Sequence, residues 1–213
     1  MRLEIYSVFI SVLCEINFLG IGFPAIFIQF KGCNLICPKP YNKKKVQKIK
    51  IDLLRAEVRK ISENTNIRIV YLTGEEPLYR DPKQLHELFT TLPEFTFLVK
   101  TNGSINITNF LLHKHVHWII NYSFKHIFVV NFDELTENDV VKFIFNDLYE
   151  YRSFKKIFLE LIKEKYCFKV SVLSKLNFKK LSEKMIEDHI FDLVNFEFIN
   201  KELYNENTCS ISC

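Results

Sequence analysis

Apolar positions follow two rhythms along this chain. Six short β-rich runs read as strands: Pro24 to Phe30, Ile67 to Leu72, Phe95 to Thr101, Val116 to Tyr122, Phe168 to Ser174 and Phe191 to Phe198. Stretches of helical period lie between them. From Lys45 to Glu63, residues Val46, Ile49, Leu53, Val58 and Ile61 fall close to one stripe, which predicts a helix. Asp81 ahead of Pro82 supplies an N-cap with proline at the first helical position, opening a second helix that ends near Leu92 and Pro93. A third runs from about Leu148 to Lys165. His126 to Asn146 fits strand and helix equally. This alternation predicts a single α/β domain whose largely parallel sheet carries packed helices and is either open or curled into a barrel.

Glycine is scarce, and its positions are informative. Of Gly20, Gly22, Gly32, Gly74 and Gly103, three stand where a predicted strand hands over to a loop. Glycine alone takes positive φ freely and lets a ligand approach the backbone, so geometry holds these turns open. In an α/β sheet, ligands bind at the carboxyl ends of the strands, and the site is expected there.

With 213 residues, 48% hydrophobic and 25% charged, the composition excludes disorder, and a core of this size folds without disulfides or metals. A net charge of +4 is too small to predict nucleic-acid or membrane partners. Six cysteines at 14, 33, 37, 167, 209 and 213 are too uneven for a secreted disulfide scaffold, which favours a reducing, cytoplasmic compartment. The apolar run Ile5 to Cys14 lacks the cleavage site of a signal peptide, and no run reaches membrane-spanning length.

Three loops carry candidate chemistry. Lys31-Gly32-Cys33-Asn34-Leu35-Ile36-Cys37-Pro38-Lys39-Pro40-Tyr41-Asn42 follows the first predicted strand, Thr73-Gly74-Glu75-Glu76-Pro77 the second, and Lys100-Thr101-Asn102-Gly103 the third. Together they resemble the radical S-adenosylmethionine enzymes. With Glu15, the strand Pro24 to Phe30 and Ser123-Phe124-Lys125, the chain is more closely similar to the 7-carboxy-7-deazaguanine synthase family, over about two thirds of its length.

The resemblance implies a fold, a chemistry and partners. The fold is an incomplete, curved (β/α)6-type partial barrel. The family holds a [4Fe-4S] cluster through a CxxxCxxC loop; thiolates suit such clusters, and the open iron binds S-adenosylmethionine. The resulting radical converts 6-carboxy-tetrahydropterin to 7-carboxy-7-deazaguanine in queuosine and deazapurine biosynthesis. The implied partners are thus a small pterin substrate and, for an active chain, an electron donor, with a homodimer left open. Carried over, Cys33 and Cys37 match cluster ligands and Asn42 a Mg²⁺ ligand. Lys39, Tyr41, Gly74, Glu76, Thr101, Asn102, Ser123 and Lys125 match cofactor contacts, and Val12, Leu13, Cys14, Glu15, Gln29 and Thr73 match the substrate side.

This chain departs from the family pattern at several positions. Where the third cysteine belongs stands Pro40, which has no side-chain ligand atom. Glu75 replaces a glycine, Gln29 an arginine that grips a substrate carboxylate, and Lys100 a glutamate. Losses of this kind equally suit a catalytically inactive descendant that serves as a binding or assembly module.

Some motifs have simpler readings. Cys14 could bring a third thiolate, but a small buried residue is favoured. His113, His115 and His117 alternate at strand spacing and could bind a metal, although solvated histidines at a strand entrance are the favoured reading. Lys43, Lys44, Lys45, Lys48 and Lys50 read as a solvated helical face.

Overall fold

A computed structural model describes residues 2–36, 45–174 and 176–197, apart from the side chains of 178, 196 and 197. Its strands are β1 (Arg2–Val12), β2 (Pro24–Phe30), β3 (Gln47–Lys50), β4 (Ile69–Gly74), β5 (Thr96–Thr101), β6 (Val116–Ser123), β7 (Val140–Phe145), β8 (Lys169–Ser174) and β9 (Asn195–Glu197). The helices are α1 (Ile51–Thr65), α2 (Pro82–Thr91), α3 (Leu148–Lys163) and α4 (Phe178–Glu187). All strands form one open sheet in the order β3-β1-β2-β4-β5-β6-β7-β8-β9. From β2 to β9 every neighbouring pair is parallel, while β1 runs antiparallel to both β2 and β3. This is the open, largely parallel α/β sheet that the alternation predicts, and it is consistent with the partial barrel that the resemblance implies.

Local chemistry explains the helix ends. Asp81 caps α2 by accepting from the Lys83 N–H, with Pro82 in the first turn. The Asp147 carboxylate accepts from the N–H groups of Tyr149 and Glu150 and starts α3. Along α3, Tyr151, Phe154, Phe158 and Leu161 are buried at helical spacing. They join one large core between the helices and the convex face of the sheet, which includes Phe89, Phe97, Trp118, Phe143 and Phe145.

Several boundaries differ from the sequence expectation. The run Ile5 to Cys14, given no element from the sequence, supplies most of β1, whose residues from Ile5 to Val12 pair with β2. The first helix begins at Ile51, not Lys45, since Gln47–Lys50 pair with β1 as an edge strand. Its buried stripe is therefore Ile51, Leu54 and Val58, and Leu53 is exposed. Lys48 and Lys50 lie on that edge, where lysine discourages pairing with another chain. The ambiguous stretch before Asn146 holds β7, α4 was not anticipated, and Phe191–Leu193 forms a 3-10 turn ahead of a short β9.

The concave face is lined by alternate strand positions. A small apolar cluster of Leu13, Ala25, Phe27, Tyr71, Leu98 and Ile119 lies there. Residues 13–23 form the β1–β2 loop, closed by Leu13 N–H to Phe23 O at 2.8 Å and Gly22 N–H to Leu13 O at 2.7 Å. Phe18 of this loop packs on His117, and its carbonyl accepts from Lys169 Nζ at 3.4 Å. Both partners stand near the amino ends of their strands, so the loop plugs that mouth of the curl and leaves the carboxyl ends for a site.

Candidate active site at the carboxyl ends of the strands

Three connections meet at the carboxyl edge of the sheet. Cys33 follows β2, half-buried, and its Sγ accepts from Leu35 N–H at 3.3 Å and Asn102 Nδ2 at 3.6 Å. Asn102 Nδ2 also donates to Asn34 Oδ1 at 3.3 Å, and Asn34 Nδ2 donates to Ser104 Oγ at 2.7 Å. The loops after β2 and β5 are thereby joined. Burial raises the Cys33 thiol pKa, and Glu76 and Glu75 add to this, outweighing the two donors.

Gly74 ends β4 at φ 109°, and a Cβ there would stand 2.3 Å from the Phe30 carbonyl oxygen. Only glycine allows β4 to run this close to β2. Glu75 folds back: Tyr6 Oη donates to its Oε1 at 2.7 Å, and the Gly32 N–H donates to its Oε2. Glu76 is fully buried and accepts from Leu78 N–H at 3.0 Å and Asn102 N–H at 2.7 Å. Burial outweighs these donors and pushes its pKa up to about 7.

Glu15 enters the concave face from the plug loop. Asn17 shapes that loop, donating to the carbonyls of Glu15 and Gly20 and accepting from the N–H groups of Leu19 and Gly20. Glu15 accepts from Tyr71 Oη at 2.8 Å and Lys100 Nζ at 2.6 Å, and it is ion-paired with Lys142. All four residues are buried. Burial alone raises a carboxylate pKa, but the two ammonium groups overcome it and hold Glu15 well below the usual range.

The remaining expected residues are dispersed. Gln29 and Thr73 are buried register partners on β2 and β4, and Gln29 accepts from Ser7 Oγ at 3.1 Å. Thr101 is buried at the end of β5. Ser123 ends β6; Lys125 beyond it is largely exposed, with Nζ 3.9 Å from Glu150. Val12 and Cys14 are exposed near the amino end of β2; Cys14 is thus not the small buried residue expected but an exposed, disulfide-bonded one, and Leu13 packs in the concave apolar cluster. Cys37, Lys39, Pro40, Tyr41 and Asn42 lie outside the described residues.

Sequence reasoning missed Lys142, Tyr71 and Asn34. Lys142 carries a signal, being the one charge inside the apolar run Val140–Phe145. The three alternating histidines do not converge. His113 Nε2 lies 2.9 Å from His86 Nδ1, His115 bonds the Phe89 carbonyl, and only His117 lies in β6, against Phe18. Among the described residues, no group of three His, Cys, Asp or Glu side chains is placed to hold a metal ion.

No protein-family profile matches the chain. The 7-carboxy-7-deazaguanine synthase of Clostridium acetobutylicum is 27% identical over 195 residues, covering 86% of this chain and 88% of that protein. The synthase of Rickettsia prowazekii is 32% identical over 111 residues, 49% of this chain and 45% of that protein. The chain is similar to 7-carboxy-7-deazaguanine synthases. The crystal structure of QueE from Escherichia coli has the same fold, with TM-score 0.65 and 17% identity over 92% of this chain and 93% of that one. SuiB of Streptococcus suis shares it more loosely, at TM-score 0.53 and 13% identity over 84% of this chain and 51% of SuiB.

Against the 7-carboxy-7-deazaguanine synthase pattern, the donor set of the Cys33 loop does not fit a three-thiolate iron-sulfur cluster. Position 40, where the third thiolate belongs, is proline, which carries no side-chain ligand atom. Pairing of Glu15 with two lysines commits to internal contacts a carboxylate expected to face the pterin.

Proposed function

We propose that this chain keeps the ligand-binding architecture of 7-carboxy-7-deazaguanine synthase, for S-adenosylmethionine and a pterin-class ligand. It does not by itself convert 6-carboxy-tetrahydropterin to 7-carboxy-7-deazaguanine. The joining of the Cys33 and Asn102 loops beside Gly74 and Glu76 carries this reading. It would give a strand-end cradle in which Gly74 lets β4 lie close to β2 and the Asn102 amide is fixed in place. Asn102 and Thr101 would orient the nucleoside ligand, and Gln29 and Thr73 would line the side facing the pterin. Pro40 separates binding from turnover, because a radical step needs an electron delivered through a cluster that this loop lacks the thiolates to hold.

The test pairs calorimetric binding of S-adenosylmethionine with product analysis under reducing, anaerobic conditions, using 6-carboxy-tetrahydropterin. The expected result is binding without 7-carboxy-7-deazaguanine in the wild-type chain and product in Pro40→Cys. Product from the wild-type chain would establish an active synthase with an unusual ligand set. Loss of S-adenosylmethionine binding would leave only the fold.

A further inference from the structure

Arg80 stands in the connection between β4 and α2, against the loop that bears Cys33. Its Cζ lies 5.8 Å from the centroid of the Phe30 ring. Its Nη1 and Nη2 lie 3.1 and 3.4 Å from where a Cβ on Gly32 would stand, so glycine there makes room for the guanidinium. Nη1 donates to the Tyr79 carbonyl. Nε and Nη2 are buried and have no hydrogen-bond partner among the described residues.

That pair of atoms is chemically specific. Nε–H and Nη2–H point the same way from the planar group and form the side-on fork that receives both oxygens of a carboxylate. Burying two such donors unpaired is costly. The neighbouring carboxylates are engaged elsewhere: Glu4 with Lys48 at 3.2 Å, Glu75 with Tyr6 and Gly32, and Glu76 with Leu78 and Asn102. Burial accordingly lowers the Arg80 pKa, although Glu4, Glu75 and Glu76 all oppose the shift. The guanidinium stays charged at any working pH.

We propose that the Nε and Nη2 edge of Arg80 binds the α-carboxylate of the amino-acid ligand received beside Cys33. The proposal rests on the reading of the site as one for S-adenosylmethionine. Strand β2 itself carries no cation, and Arg80 brings one to its carboxyl end from the connection after β4. Lysine in its place keeps the charge and loses the fork.

Two probes separate the outcomes: S-adenosylmethionine, and 5′-methylthioadenosine, which shares the nucleoside and lacks the carboxylate. Arg80→Gln should weaken S-adenosylmethionine by about tenfold to a hundredfold, as expected for a lost charge-assisted bidentate contact, and Arg80→Lys by less. Both variants should bind 5′-methylthioadenosine as the wild-type chain does. Equal affinity of Arg80→Gln and wild type for S-adenosylmethionine overturns the proposal and spares the reading of the site. An equal loss for both probes also overturns it, showing that Arg80 only shapes the connection. If the wild-type chain binds neither probe, the reading of the site falls, and the proposal with it.

Discussion

Glu15 and Lys142, 127 positions apart in the chain, form a buried ion pair across the concave face of the sheet. The same carboxylate accepts from Tyr71 on β4 and Lys100 on β5. Strands β4 and β7 are three spacings apart, roughly 14 Å in a flat sheet, so the curl helps one side chain reach both. Removing one member of such a cluster leaves uncompensated buried charge. Glu15→Ala is expected to destabilise the chain by about 3–5 kcal/mol, measured by urea denaturation. A change below about 1 kcal/mol would show that water reaches the two lysines freely.

Glu15 and Glu76 respond to pH in opposite directions. The folded pKa of Glu15 is depressed, so its contribution is present above the unfolded value of about 4.3 and is lost as pH falls further. Glu76 is raised to about 7, so its contribution is present below the unfolded value and is lost as pH rises through about 7. Between about pH 4.5 and 7, stability should fall by up to about 3 kcal/mol on account of Glu76, and Glu76→Gln should flatten that slope. Denaturation midpoints at pH 5 and 7.5 measure it; identical slopes in both proteins would contradict the assignment.

Gly74→Ala should be poorly tolerated. A Cβ 2.3 Å from the Phe30 oxygen, at φ 109°, demands movement of backbone in β2 or β4. A loss of about 2 kcal/mol or more is expected, together with weakened S-adenosylmethionine binding. Full stability in the variant would mean that the β2–β4 approach is less tight than described.

Glu75→Gly, which restores the residue of the related synthases, tests the opposite kind of change. It removes the acceptor for Tyr6 Oη and Gly32 N–H. The Gly32 amide should then exchange with solvent at least about tenfold faster, since its hydrogen bond is worth roughly 1–2 kcal/mol. Unchanged exchange would assign the protection of Gly32 to another group.

The backbone geometry of the strand ends was legible in the sequence because it rests on local signals. Gly32, Gly74 and Gly103 all take positive φ where a strand or its loop turns, and Asp81-Pro82 caps α2 as its residue types require. The interior of the curl was not legible. Lys142 lies in a stretch whose periodicity favoured neither helix nor strand, and its partner Glu15 comes from a loop held by Asn17. That pairing depends on tertiary curvature, which no local pattern encodes. The helical stripe proposed from Val46 failed for a related reason: the unpaired edge of β1 captured Gln47–Lys50 as a strand. The favoured reading of solvated histidines at a strand entrance missed that two of the three precede β6 and bond to α2 residues.

The account turns on whether this loop can hold an iron-sulfur cluster. Anaerobic iron and sulfide determination on the reconstituted wild-type chain beside Pro40→Cys answers it most directly. Near-stoichiometric loading of four irons in Pro40→Cys and far less in the wild-type chain is the expected result. Four irons and four sulfides per wild-type chain, with 5′-deoxyadenosine released on reduction, would contradict it.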